Sequence, residues 1–68
     1  MKIDTRNILK GKVVDVQPGV ITAKIKLDLG NGNIITSIVS LDWLEGMGIK
    51  IGDEASAIVK STEVMIGK

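Results

Sequence analysis

Glu54-Ala55-Ser56-Ala57-Ile58-Val59-Lys60-Ser61-Thr62-Glu63-Val64-Met65-Ile66 reads as two short β-strands, Glu54–Lys60 and Glu63–Ile66, separated by a polar kink. Ile58-Val59 and Val64-Met65-Ile66 carry the apolar, β-branched character of strands. Between them Lys60, Ser61 and Thr62 place one cation and two hydroxyls side by side, and their backbone N–H groups add further donors. A small oxyanion is held by such a surface. A solvated turn has the same composition, and the tripeptide alone favours the turn.

Working back from that stretch, Gly52-Asp53 is a turn. Before it the period is that of a helix: Leu41, Leu44 and Met47 recur at a spacing of three, with Asp42 and Glu45 between them. Ser40 is a suitable N-cap, Asp42 suits the first turn, and Gly46 and Gly48 end the helix. Ile34–Ser40 is a strand, preceded by the tight turn Gly30-Asn31-Gly32-Asn33. That turn is not a phosphate cradle, because no Lys-Ser/Thr pair and no helix follow it. Val20–Leu29 has the cleanest alternation: Ala23, Ile25, Leu27 and Leu29 form a buried face, and Thr22, Lys24, Lys26 and Asp28 a wet one. Gln17-Pro18-Gly19 turns the chain between this strand and a first one, Ile8–Val16, with which it makes a hairpin. Gly11 inside the first strand marks a bulge or a bend. The predicted fold is all-β: a five-stranded OB-like Greek-key barrel with one short helix between strands 3 and 4, in a single domain covering residues 1–68.

A chain of 68 residues buries only about 60% of its unfolded surface. It contains neither Cys nor His, so a disulfide is excluded and a zinc staple has no usual ligands. With 44% hydrophobic residues and a mean hydropathy of +0.29, the expected support is association with further copies. Nine basic and eight acidic residues are spread along the chain, net +1, which gives no basic block for nucleic acid and no polybasic anchor. Trp43 is the only aromatic residue, so the stacking platform of a single-strand binder is missing. No apolar run approaches the roughly 18 residues of a membrane span, and Met1-Lys2-Ile3-Asp4 opens no signal-peptide core. The expected location is the cytoplasm. Without His, Cys or Tyr the usual general bases and nucleophiles are lacking, and the chain does not read as an enzyme.

Three segments in order resemble one family. Near the start stand Asp4-Thr5-Arg6-Asn7, then Leu9 and Gly11. The middle runs Thr36-Ser37-Ile38-Val39-Ser40 into a short helix ending Met47-Gly48, and the end reads Lys60-Ser61-Thr62-Glu63-Val64-Met65-Ile66. Over essentially its whole length the chain resembles the molbindins, the free-standing Mop domains of the TOBE group. The resemblance implies an OB-like barrel that binds molybdate or tungstate inside the cell, as a homohexamer built as a trimer of dimers with anions held between subunits. It implies an oxyanion site drawn from Thr5, Arg6, Asn7, Ser40, Trp43, Lys60 and Ser61, with one chain presenting the Arg6 segment and a neighbour Ser40, Lys60 and Ser61. No direct metal-cation ligands are implied. Two positions depart from the family pattern: Asp4 and Trp43 stand where small hydroxyl residues are common. Asp4 can pair with Arg6, and the Trp43 indole N–H can supply a donor.

Other functions are an interaction ring that has lost its anion, a binder of a molybdenum-pterin, and an OB-type nucleic-acid binder. Asp4 and Trp43 speak for the first and Trp43 alone for the second. Charge and composition argue against the third.

Overall fold

The computed structural model describes residues 6–68, so the candidates Asp4 and Thr5 lie outside the described residues. Strands β1 (Arg6–Pro18), β2 (Thr22–Gly30), β3 (Asn33–Ser40) and β4 (Glu54–Lys60) form one antiparallel sheet in the order β3-β2-β1-β4. The helix α1 (Leu41–Met47) lies between β3 and β4, and a 3₁₀ turn covers Ser61–Glu63. Three strands follow one another as hairpins and the fourth returns beside the first, which is the Greek-key order.

β1 is longer than the predicted Ile8–Val16 because it serves two neighbours. Its first half pairs with β4, from Arg6 opposite Lys60 to Lys12 opposite Glu54. Its second half pairs with β2, from Lys12 opposite Asp28 to Pro18 opposite Ala23, with a register shift between Val13 and Asp15. Of the bulge or bend expected at Gly11, the register shift falls a few residues later. Gly11 has a different task, because a Cβ there would stand 2.7 Å from the Asp28 carbonyl oxygen and 3.0 Å from Leu29 Cδ2. The first of these is backbone and cannot swing aside. Gly11→Ala is expected to destabilise the protein by about 1–3 kcal/mol, as overpacking does, read as a lower urea midpoint at unchanged slope.

The core lies on one face of the curled sheet. Val13, fully shielded, is tied on both sides: its N–H donates to the Asp53 carbonyl and its own carbonyl accepts from Gly52 N–H, each at 2.8 Å. Around it pack Ala23, Ile25 and Leu27 of β2, and Leu44 of α1. Three of the four residues predicted for the inner face of β2 are thus buried, and Leu29 is half-buried. Asn31 and Gly32, at φ 55° and 80°, make the β2–β3 turn, as the primed hairpin turns require. Ser40 caps α1, its Oγ accepting from Trp43 N–H at 3.0 Å, and Gly48 at φ 65° closes it. Gly46 does not end the helix as predicted but lies within its last turn.

The predicted fifth strand differs. Among the described residues the sheet has four strands. Ser61–Glu63 is a 3₁₀ turn, and Val64–Ile66 joins no ladder although its residue types suit one. A strand exists by its partner, and the fold of one chain offers this segment none. Val64, Met65 and Ile66 are consequently exposed, together with Ile8, Ile34, Ile38 and Ile58 on the strands. Among the described residues no helix is long and apolar enough to cross a membrane.

Candidate functional site

The antiparallel register of β1 and β4 sets Arg6 directly opposite Lys60, and Asn7 opposite Val59. Directly opposed residues share a face of the sheet. On β4 that face is exposed at Glu54, Ser56, Ile58 and Lys60, while Ala55, Ala57 and Val59 turn inward. Two cations therefore stand side by side at one end of the ribbon, where one anion can meet both. Asn7 fixes this end: its Nδ2 donates to the Val59 carbonyl at 3.2 Å across the two strands. The chain then leaves β4 through the Ser61–Glu63 turn, where Val64 N–H donates to the Ser61 carbonyl at 3.4 Å. Lys60, Ser61 and Thr62 thus form a kink as predicted. Arg6 and Ser61 each hold an interaction within the chain.

The fold sets Arg6 beside Lys60 on one face, with Ser61 next along the chain. Asn7 lies opposite Val59 on the other face and ties the two strands together. The chemistry of Arg6, Lys60 and Ser61 suits a tetrahedral oxyanion. Arg6 supplies a planar fork of N–H donors, Lys60 a compact ammonium and Ser61 a hydroxyl. Hydrogen bonds from the two cations to an anion are roughly twice as strong as neutral ones.

Ser40 stands at another corner of the sheet. Ser40 pairs with Thr22 at the end of β2 that adjoins Pro18, so the thirteen residues of β1 run between that corner and Arg6. Ser40 Oγ accepts from Trp43 N–H, which leaves its hydroxyl proton able to donate outward. Trp43 is half-exposed and borders two clefts. One, of about 210 Å³, is the apolar seam between the outer strands β3 and β4, lined by Ile35, Val39, Ile49, Ala57 and Val59. The other, more open and about 460 Å³, lies between α1 and the start of β4 beside Met47, Glu54 and Ser56. The resemblance implies a neighbour's Lys60 for Arg6; the fold already sets Arg6 beside Lys60 of the same chain.

The seam also gathers Thr36, Ser37 and Ser56, which the sequence did not mark as neighbours. They lie on strands that meet only where the sheet curls back on itself, and no spacing along the chain signals that meeting.

Residues 3–66 match the TOBE domain. The chain is 56% identical over 66 residues to molybdenum-pterin-binding protein 1 of Clostridium pasteurianum, covering 97% of each. Among solved structures it is similar to a molybdate-binding protein from Sporomusa ovata, with a TM-score of 0.87, 32% identity and full coverage of both chains. It is also similar to the cytoplasmic molybdate-binding protein ModG with molybdate bound, at a TM-score of 0.85 and 35% identity, over 96% of this chain and 46% of that one.

Proposed function

The chain belongs to the TOBE-domain family, and from that premise we propose that it binds and stores molybdate. The observation that carries this reading is the cross-strand pair Arg6–Lys60, with Ser61 next along the chain, at one end of the β1–β4 ribbon. Molybdate is a tetrahedral dianion, and these groups supply two positive charges and a neutral donor. The names of the relatives speak of binding proteins and not of enzymes. Tungstate has the same charge and nearly the same shape, so the site takes it as well. The protein works in the cytoplasm, where ModG is described.

The complete site lies between subunits of a homohexamer. Support comes from Ser40, which lies at the β2–β3 corner, away from Arg6 along β1, and which a neighbour can bring to it. Further support is the number of isoleucine side chains left at the surface by a single chain. Asp4 and Thr5 precede Arg6 in the chain, so the Arg6 segment also carries a carboxylate and a hydroxyl. In the assembled form Glu63–Ile66 is the fifth strand of the barrel.

Trp43 gives the test. It is the only Trp and there is no Tyr, so fluorescence reports on this position alone. Molybdate or tungstate is expected to change Trp43 emission saturably, and sulfate at equal concentration is not. A flat titration with both metal oxyanions, in an oligomer confirmed by sedimentation, would favour a structural ring instead. A calorimetric signal that survives unchanged in Trp43→Phe would keep the site and remove Trp43 from it. A second reading, a molybdenum-pterin as ligand, has one observation in its favour: the half-exposed indole faces an open hollow beside Met47. Its mark is a calorimetric preference for the pterin complex over free molybdate.

A further inference from the structure

We propose that Ile8 and Ile58 form an apolar wall of the anion site and set its preference for molybdate and tungstate over sulfate. The inference rests on the molybdate reading above and names the residues that make that site selective.

The register gives the exposed face of the β1–β4 ribbon pair by pair: Arg6–Lys60, Ile8–Ile58, Lys10–Ser56 and Lys12–Glu54. Every pair but one carries a charge. The exception is Ile8–Ile58, and it comes directly after the two cations. Ile8 is 57% and Ile58 62% exposed, so the core of the chain does not account for them. The core lies on the other face, toward which β4 turns Ala55, Ala57 and Val59.

Residues two apart on a strand share a face and lie about 6.6 Å apart. Opposed residues are about 4.5–5.5 Å apart at Cβ. The four side chains therefore frame one patch, cationic along one edge and apolar along the other. Arg and Lys lay their aliphatic stems on apolar neighbours while their heads stay polar. On this face the next residues in register are the two isoleucines. An anion that meets both cations thus stands beside a surface that offers it no hydrogen bond.

Such a wall acts on an anion through its water. Molybdate, tungstate and sulfate are all tetrahedral dianions, and the two cations attract each of them. They differ in size. Longer metal–oxygen bonds spread the two charges of molybdate and tungstate over a larger ion, whereas sulfate is compact and holds its hydration shell more tightly. Placing an ion against an apolar surface strips part of that shell, at a cost that rises as the ion becomes smaller. A hydroxyl or amide in the same place would replace the lost water and admit sulfate. The cations select for charge, and the wall selects for weak hydration. Molybdate and tungstate are nearly the same size, so the wall does not tell them apart.

The test replaces the wall by one that can hydrogen-bond. Ile8→Thr/Ile58→Thr keeps β-branched residues suited to a strand, at exposed positions where substitutions disturb folding little. Calorimetry gives the molybdate affinity, and the sulfate concentration that displaces bound molybdate gives the sulfate affinity. The preference for molybdate over sulfate is expected to fall about tenfold, the lower end of what one altered pocket contact gives. The ratio of molybdate to tungstate affinity should not move. Ile8→Val/Ile58→Val keeps the wall apolar and should keep the parent's discrimination. So should Ile38→Thr, at a residue 64% exposed on β3. The single variants Ile8→Thr and Ile58→Thr should each show part of the shift, and they decide the matter if the double variant does not fold. An unchanged sulfate preference, in an oligomer that sedimentation shows intact, would overturn the wall and leave molybdate binding standing. An unchanged preference in an oligomer that has come apart would assign the isoleucines to contacts between copies and overturn the wall as well. A parent that binds no molybdate would overturn the reading on which the wall rests.

Discussion

Replacing Lys60 by alanine is expected to weaken molybdate binding roughly ten- to a hundred-fold, the loss of one charge-assisted hydrogen bond of about 1.5–3 kcal/mol. Lys60 is exposed, so the ligand-free protein should melt close to the parent. Affinity falls while ligand-free stability holds, a combination that a merely structural lysine would not produce. Thermal shift makes this visible. At a ligand concentration a hundred times the parent Kd, binding stabilises the parent by about 2.7 kcal/mol and a hundred-fold weaker variant by about 0.4 kcal/mol. An unchanged affinity would mean that Lys60 is a solvated turn residue.

That pairing of Arg6 with Lys60 was only half legible in the sequence. Each residue stood out by its type and by its place in a family-like segment. Their adjacency depends on the register of β1 on β4. The loop that brings Gly52 and Asp53 to Val13 leads β4 into that register. Gly52-Asp53 reads as a turn, and nothing in the residues says which part of β1 it meets. Ser40 was legible as a helix cap and is one, but its distance from Arg6 within a chain was not. The alternation in β2 was legible because one face is buried and the other wet, and burial enforces that pattern. The fifth strand shows the opposite case. Val64–Ile66 has the residues of a strand, and the sequence cannot say where its partner is.

Leu44→Ala carries the second large effect, a loss of about 2–5 kcal/mol. Leu44 is the buried residue of α1, and it closes the core against Val13, Ala23, Ile25 and Leu27. Single cores in domains of this size supply about 3–5 kcal/mol, so the substitution takes most or all of the stability of an isolated chain. Circular dichroism should show a melting temperature lower by at least about 8 °C, at about 4–8 °C per kcal/mol. Met47→Ala, one turn along the same helix, should leave the chain's own stability nearly unchanged, because Met47 is 62% exposed. The spacing of three that suggested the helix made Leu41, Leu44 and Met47 look alike. The helix is short, and by its last turn that stripe has rotated off the sheet.

The Greek-key order has a kinetic consequence. β1, β2 and β3 pair through two short turns, so that meander forms from contacts near in sequence. β4 must come back from the far side of the helix, and the bond from Asn7 to Val59 closes a separation of 52 residues. Loop closure on that scale exacts its entropy before its contacts repay it, and contacts of this kind slow folding. The cation pair is therefore assembled at the end of folding and absent from the early meander. A ligand that needs both Arg6 and Lys60 has nothing to hold until the chain is complete. Its stabilisation falls on the rate of unfolding and leaves the rate of folding almost untouched. For a protein that stores its ligand, occupancy then sets how long each molecule lasts rather than how fast it is made ready.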